Sequence, residues 1–381
     1  MQALRRTGLA ELPLHVGKAP QWLVSRMIGL ARGIVAVIVD EHGRDTFLRR
    51  ISDPYWFQAL GCVLGYDWHS SGVTTVLTGV LKNALEREKL GLAVCGGKGK
   101  ASKRTPSEVG VVGEELGLSI EDIDRLRYAS RMSAKVDNTA IQAGYPLYHH
   151  AFFITGDGEW AVVQQGMNTY DRTARRYHWL SEDIEDFVVE PHKAIVGDAK
   201  RAAALNMTAQ ESEGCRKASV DIVREKPAKV GNMLRSMRPA YQRSLKEWMH
   251  PTQENGLKAP VLDVLSMPSR MNWTALANAY ELQPRNYEEL LGMRGIGPAT
   301  VRGLALISEL VYGERPSWKD PVKYSFAYGG KDGVPFPVDR KSMDESVSML
   351  EEAIEKSRLG DRERLSSLRK LRRLVPPDRH V

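Results

Sequence analysis

The chain is poor in cysteine: Cys62, Cys95 and Cys215 are the three it has, and they lie far apart. That excludes a disulfide framework and a Cys-x-x-Cys metal site. Long apolar runs are also missing. The longest purely aliphatic stretch is Ile34–Val39, far short of the roughly 20 residues that a membrane span needs. The first residues, Met1-Gln2-Ala3-Leu4-Arg5-Arg6, place no apolar segment behind their charge, so they do not read as a signal peptide. No Gly-x4-Gly-Lys-Ser/Thr loop is present. The nine histidines form no His-x3-His pair on a clear helix. The expectation is a cytoplasmic, nucleoid-associated protein that needs no metal or cofactor and contacts no membrane.

What the chain does have is clustered positive charge. Over its 381 residues, 54 Lys and Arg stand against 47 Asp and Glu. Residues 216–246 hold nine bases, among them Arg235, Arg238 and Arg243, and two acids. Residues 356–373 hold eight bases and two acids. Concentrated basic stretches are the electrostatic footprint of a polyanion binder, although solvated helix faces look the same.

Gly33–Val39 reads as a buried strand or a short core helix, ended by Glu41-His42-Gly43. Ser52-Asp53-Pro54 opens a helix, and a second is expected over Val73–Leu90. Leu92–Thr105 reads as a glycine- and lysine-rich loop. Helices over Ser107–Leu116 and Ile120–Lys135 follow, the second capped by Ser119. His149–Met167 carries Asp157-Gly158 between two apolar runs, a β-hairpin signal. An acidic helix Glu182–Phe187, a helical middle from Asp198 to Met249 and a linker at His250–Pro260 come next. Helices fill most of residues 261–381. The expected fold is mainly α with a small β-hairpin or sheet element (α+β). Its parts are a mixed, catalytic 1–195, a basic helical 196–255 and a helical 256–381.

Residues 287–312 pair a helix, the turn Gly295-Ile296-Gly297 and a second helix begun by Pro298. They resemble the helix-hairpin-helix of DNA-repair enzymes. Glycine lets the backbone approach a phosphate without a Cβ in the way, and free N–H groups at the second helix face the anion. Gly295, Ile296, Gly297 and Thr300 are thus candidate DNA contacts, and both glycines are expected in conformations that a Cβ would strain. In the glycosylase branch of that group a catalytic Asp follows in a Val-Asp context. Phe336-Pro337-Val338-Asp339 resembles that element and makes Asp339 a candidate. The lyase branch carries Lys just after the turn, where this chain has Pro298-Ala299, so a Schiff-base lysine must come from elsewhere.

The segment Ser133-Ala134-Lys135-Val136-Asp137 precedes Tyr145, Tyr148, His149 and His150. Lys135 and Asp137 share a face if the segment is extended. Aromatic and His neighbours bury a lysine and lower its pKa, as an amine nucleophile needs. Lys18 is the second candidate amine, and Lys98 and Lys100 are the third. The run Cys95-Gly-Gly-Lys98-Gly-Lys100 also suits a backbone phosphate. Gln164 and Gln165 would read a base edge or close a β-edge.

Taken together, Ser52–Leu85, Gly96–Val109, Ser133–Met167 and Tyr287–Asp339 resemble an archaeal family known as a domain of unknown function. The resemblance implies DNA-damage enzymes that act as abasic-site lyases, with glycosylase activity on oxidised pyrimidines as a further implied activity. It also implies an unusual fold with a helix-hairpin-helix toward the C-terminal end. The leading expectation is a DNA-repair lyase that binds duplex DNA, with Lys135 as nucleophile and Asp137 or His149 moving the proton. The alternatives are a metal-dependent nuclease, with Asp67, His69, Asp137 and His149 as ligands, and a non-enzymatic DNA-binding protein.

Overall fold

A computed structural model describes residues 21–66, 72–86, 90–197, 200–241, 268, 270–322, 340–357 and 360–372. The fold is mainly α with a small antiparallel β element. It starts with α1 (Gln21–Ser52), in which Gly33–Val39 is helical rather than extended. The expected stop at Gly43 survives as a kink, with φ 82°. By length and composition α1 is long and apolar enough to cross a membrane, a test that the core helix of a globular fold also passes. Its Met27, Ala31, Ile34, Val35 and Ile38 are nonetheless buried in a protein core. The Asp53 side chain caps α2 (Pro54–Leu64), accepting from the N–H groups of Tyr55 at 2.8 Å and Trp56 at 3.2 Å. Next comes α3 (Gly72–Glu86).

The glycine–lysine run departs from expectation. Leu92–Lys98 is strand β1, and α4 (Lys100–Glu115) begins two residues later. Glycine is disfavoured in strands, and so the run reads as a loop. Here the glycine is needed: at Gly96 (φ +91°) a Cβ would strike the His150 carbonyl and the Thr105 hydroxyl. Helix α5 (Ile120–Lys135) starts where the Ser119 side chain accepts from the Asp122 N–H at 3.1 Å. A π-type turn over Val136–Ala140 prolongs it into β2 (Ile141–Gln142).

The hairpin is β3 (Leu147–Thr155) and β4 (Trp160–Asn168), followed by β5 (Thr173–Leu180) and β6 (Ala194–Gly197). Sheet order is β1-β3-β4-β5-β6, every pair antiparallel. A two-residue β7 (Leu205–Asn206) pairs with β2. Of the acidic helix expected at 182–187 only a one-turn 3₁₀ segment, Ser181–Asp183, forms. Helix resumes at α6 (Glu213–Val223) rather than at Asp198, and α7 (Pro227–Tyr241) follows. The linker expected at 250–260 lies outside the described residues. The last elements are α8 (Trp273–Leu282), α9 (Tyr287–Gly292), α10 (Pro298–Tyr312), α11 (Arg340–Lys356) and α12 (Asp361–Arg372).

Strand alternation gives the sheet two apolar faces. Phe152, Ile154, Trp160, Val162 and Trp179 share one core with α5, α6 and the hairpin helices α9 and α10. Ala151, Phe153, Ala161 and Val163 share the other with α1–α3 and with Leu350, Ile354 and Leu371 of α11 and α12. The cores therefore do not follow the linear division at 195 and 255. The last two helices join the first three, and the helix pair α9 and α10 packs across the sheet from them.

Candidate active site

Lys135 and Asp137 part company because their segment is helical. Two residues of helix turn through about 200°, so the side chains leave in opposite directions; the expectation of a shared face fails with the extended conformation it assumed. Asp137 is fully buried, and its Oδ2 accepts from Trp179 Nε1–H at 2.9 Å and from the Gln164 amide. Its Oδ1 meets His192 Nε2. Neither Trp179 nor His192 stands out in the sequence, because they lie 42 and 55 residues away and only the sheet brings them in.

This carboxyl sits at the end of a chain of fixed protons. Gln164 also donates to the Ser133 carbonyl at 3.0 Å, an atom that can only accept, so the amide nitrogen is the group on that side. Gln164 Oε1 then accepts from His150 Nδ1–H at 2.7 Å. That leaves the His150 Nε2 lone pair facing the Ser130 hydroxyl at 3.0 Å. Burial holds the His150 pKa down at about 4, so the ring is neutral. His149 carries the opposite tautomer. Thr78 Oγ1 donates to the Thr74 carbonyl at 2.8 Å and so accepts from His149 Nε2–H at 2.9 Å. His149 Nδ1 is left as a buried lone pair with no hydrogen-bond partner. Burial first, then His150 and Lys98, push the His149 pKa to about 3.

Both histidines line a cavity of about 370 Å³ between α4, α5 and β3, together with Ser102, Lys103, Arg131 and Lys135. The Lys135 side chain is half-buried, and burial lowers its pKa from the ordinary lysine value. Its Nζ donates to the Met293 carbonyl at 3.3 Å. Met293 closes α9 and leads into the Gly-Ile-Gly turn, so the amine reaches the link between α9 and α10. The Gln142 amide adds a second tie, donating to the Pro298 carbonyl at 2.8 Å.

The two turn glycines differ. Gly295 has φ +88°, and a Cβ there would stand 2.8 Å from Asn272 Nδ2 and 2.9 Å from Ala275 Cβ. Gly297 is extended (φ −118°), and a Cβ would meet nothing within 4 Å. The expectation that both are strained holds for Gly295 only. Gly297 precedes α10 with no side chain capping the first N–H groups. The side chains of Ile296 and Thr300 point inward and are buried, so only their backbone could face a ligand.

Four of the nine bases in the stretch 216–246 are committed within the protein, while Lys226 is exposed with no ion pair among the described residues. Arg216 is buried on the Met207 and Ala209 carbonyls, at 2.6 Å each. Lys217, Arg224 and Lys229 pair with Glu213, Asp221 and Glu225. Arg235 is exposed on α7 beside Asn232. The Arg238 side chain and Arg243 lie outside the described residues, as do Lys18, Asp67, His69 and Asp339. By contrast, Lys98, Lys100, Lys103 and Arg131 are exposed and make no ion pair among the described residues. Lys98 lies 5.9 Å from the Tyr148 ring centroid.

Gln164 and Gln165 are fully buried on β4, the middle strand of the sheet. Gln165 spends its amide on Thr74 and Tyr148, so both side chains are committed inside the protein and neither closes a β-edge. All three cysteines are buried and none forms a disulfide, and burial pushes the Cys95 thiol up to about 12. Among the described residues the trio Glu41, His42 and Glu352 is close enough to hold a metal. It lies on the surface, and Lys356 Nζ already bonds Glu41 at 2.7 Å and Glu352 at 2.8 Å.

A family model described as a protein of unknown function (DUF763) matches residues 8–338. No curated protein and no solved structure matches the chain.

Proposed function

The chain belongs to the DUF763 family of proteins of unknown function, and we propose that it is a DNA lyase that opens abasic sites through an imine on Lys135. One observation carries this reading. The amine has a lowered pKa, opens onto a cation-lined cavity and is hydrogen-bonded to the turn of a helix-hairpin-helix. The N–H groups of Gly297, Ala299 and Thr300 hold one strand by its phosphate, which sets the register without reading bases. The damaged sugar swings into the cavity.

There the free amine adds to C1′ of the ring-opened sugar and water leaves, giving the imine. A base removes a C2′ proton, the electron pair becomes the C2′=C3′ double bond, and the C3′–O bond breaks with its pair going to the phosphate. His149 Nδ1 is the proton acceptor in this scheme, because it is the lone pair in the wall that no protein donor occupies. Asp137 acts at one remove: through Gln164 it fixes the tautomer of His150.

Duplex DNA with a single abasic site, incubated with and without EDTA and borohydride, tests the reading. Expected are EDTA-independent cleavage and a covalent protein–DNA adduct after reduction. Lys135→Ala and Lys135→Arg lose both, since a guanidinium stays protonated, while DNA affinity remains. Trapping that persists in Lys135→Ala but vanishes in Lys18→Ala moves the role to Lys18. Cleavage that EDTA stops and borohydride never traps overturns the proposal.

A further inference from the structure

Four cations that make no ion pair among the described residues lie close together around the start of α4 and on α5. Strand β1 runs through Gly96–Gly99 into the 16-residue α4, whose N-cap, Gly99, supplies no capping side chain. Lys98 and Lys100 flank this turn, Lys103 lies one turn further on, and Arg131 faces it from α5. None of the four has an acidic partner among the described residues. The cavity beside them takes Ser102, Lys103, Arg131 and Lys135 into its wall, and that wall contains no carboxylate among the described residues. His149 lines the same wall at 1% exposure, and its buried Nδ1 lone pair has no partner, an acceptor suited to a ligand's proton rather than to its anionic oxygens, which the cations would hold.

We propose that this cavity binds a terminal phosphate monoester and, resting on the lyase reading above, that it receives the 5′-phosphate released when the abasic strand is cut. A backbone diester carries one negative charge, whereas elimination frees a monoester that carries close to two. Lys103, Arg131 and the first N–H groups of α4 match that extra charge. Lys135 is neutral in the imine or carries its single iminium charge. The electron pair of the broken C3′–O bond ends on the phosphate oxygen, where the cations stand. The proton from C2′ ends on His149, whose new charge faces the same dianion. No oxidant or metal enters the balance.

The test uses the full chain and short labelled oligonucleotides that cannot react. Wild type is expected to bind a 5′-phosphorylated strand at least tenfold more tightly than the same strand with a 5′-hydroxyl. Inorganic phosphate is expected to compete with the first and not with the second. Lys103→Gln with Arg131→Gln erases the preference; both side chains are exposed, and circular dichroism checks that the fold stays. On abasic DNA that variant loses more in single-turnover cleavage than in borohydride trapping. Equal affinities for the two strands, or a preference that survives the double substitution, overturns the phosphate site. A chain that prefers the 5′-phosphate but never traps keeps the site and sinks the lyase reading. A chain that traps without the preference does the reverse.

Discussion

Lys135 Nζ and the carbonyl of Met293, 158 residues apart in sequence, meet at 3.3 Å. This contact joins the end of α5 to the turn between α9 and α10. On the proposed reading, a strand held at that turn would be presented beside the amine.

The buried setting of Lys135 predicts its pH dependence. Burial favours the uncharged amine, so its pKa lies below the ordinary lysine value of about 10.4. The rate of borohydride trapping should rise with pH and level off earlier than an exposed lysine would allow. The unfolded chain binds the extra proton, so Lys135 costs stability at neutral pH. Lys135→Met should unfold at the same or a higher temperature than wild type while trapping nothing. A lower melting temperature would contradict the buried-amine account.

His149 and His150 should make the fold acid-sensitive. Their folded values, about 3 and about 4, lie below the ordinary histidine value of 6.5. Between those limits the unfolded chain binds more protons, so stability falls as pH drops from about 6.5 toward 4. At about 1.4 kcal/mol per unit of displacement, His150 alone costs on the order of 3 kcal/mol at the acid end. Urea denaturation at several pH values checks this, and His150→Gln should flatten the profile.

The two turn glycines should separate fold from binding. Gly295→Ala forces a Cβ against Asn272 and Ala275 at a positive φ. It should cost about 1–3 kcal/mol, the range for strained backbone. Gly297→Val should leave the melting temperature nearly unchanged and weaken DNA binding, since its Cβ enters the space left for a phosphate. Equal DNA affinity in Gly297→Val would remove the turn from the interface.

Asp137→Asn replaces an acceptor with a group that must donate on one side. Trp179, Gln164 or His192 is then unpaired in a buried site, at a cost of about 1–3 kcal/mol. Nitrogen NMR of His150 should also show the tautomer mixture broadening. Unchanged shifts would disconnect Asp137 from that ring.

Salt dependence should track the unpaired cations rather than the basic helices. Lys98→Gln with Lys100→Gln should flatten log K against log salt by up to about 0.9 for each phosphate no longer neutralised. Lys217→Gln removes a charge already paired with Glu213 at 2.5 Å and should change the slope little.

Local features of this fold were legible because local chemistry sets them. Ser119 and Asp53 cap helices that begin where the sequence places them, and Asp157-Gly158 turns the expected hairpin. Lys135 is half-buried as expected, beside His149 and His150, but no Phe, Tyr or Trp ring lines its cavity among the described residues. Long-range partners were not legible. β1 hides in a glycine run because its pairing with β3 outweighs weak strand propensity. The helical turn that separates Lys135 from Asp137 is continued by a π-type bulge that residue types do not announce. His192 follows Pro191 in a polar segment, and only its place over Trp179 and Asp137 distinguishes it. Local salt bridges such as Lys229–Glu225 cancel charge that composition counts as free.

The packing of α11 and α12 onto α1–α3 has a consequence for synthesis. The apolar face of residues 27–85 is finished by Leu350, Ile354 and Leu371, which leave the ribosome long after it. At about 5–20 residues per second that face waits roughly 10–50 s for its cover. During this interval the nascent chain carries an open hydrophobic surface, and the sheet's opposite core closes first, once α9 and α10 have emerged. A stalled chain ending before Arg340 should thus lose its first three helices to limited proteolysis and keep the sheet with α9 and α10.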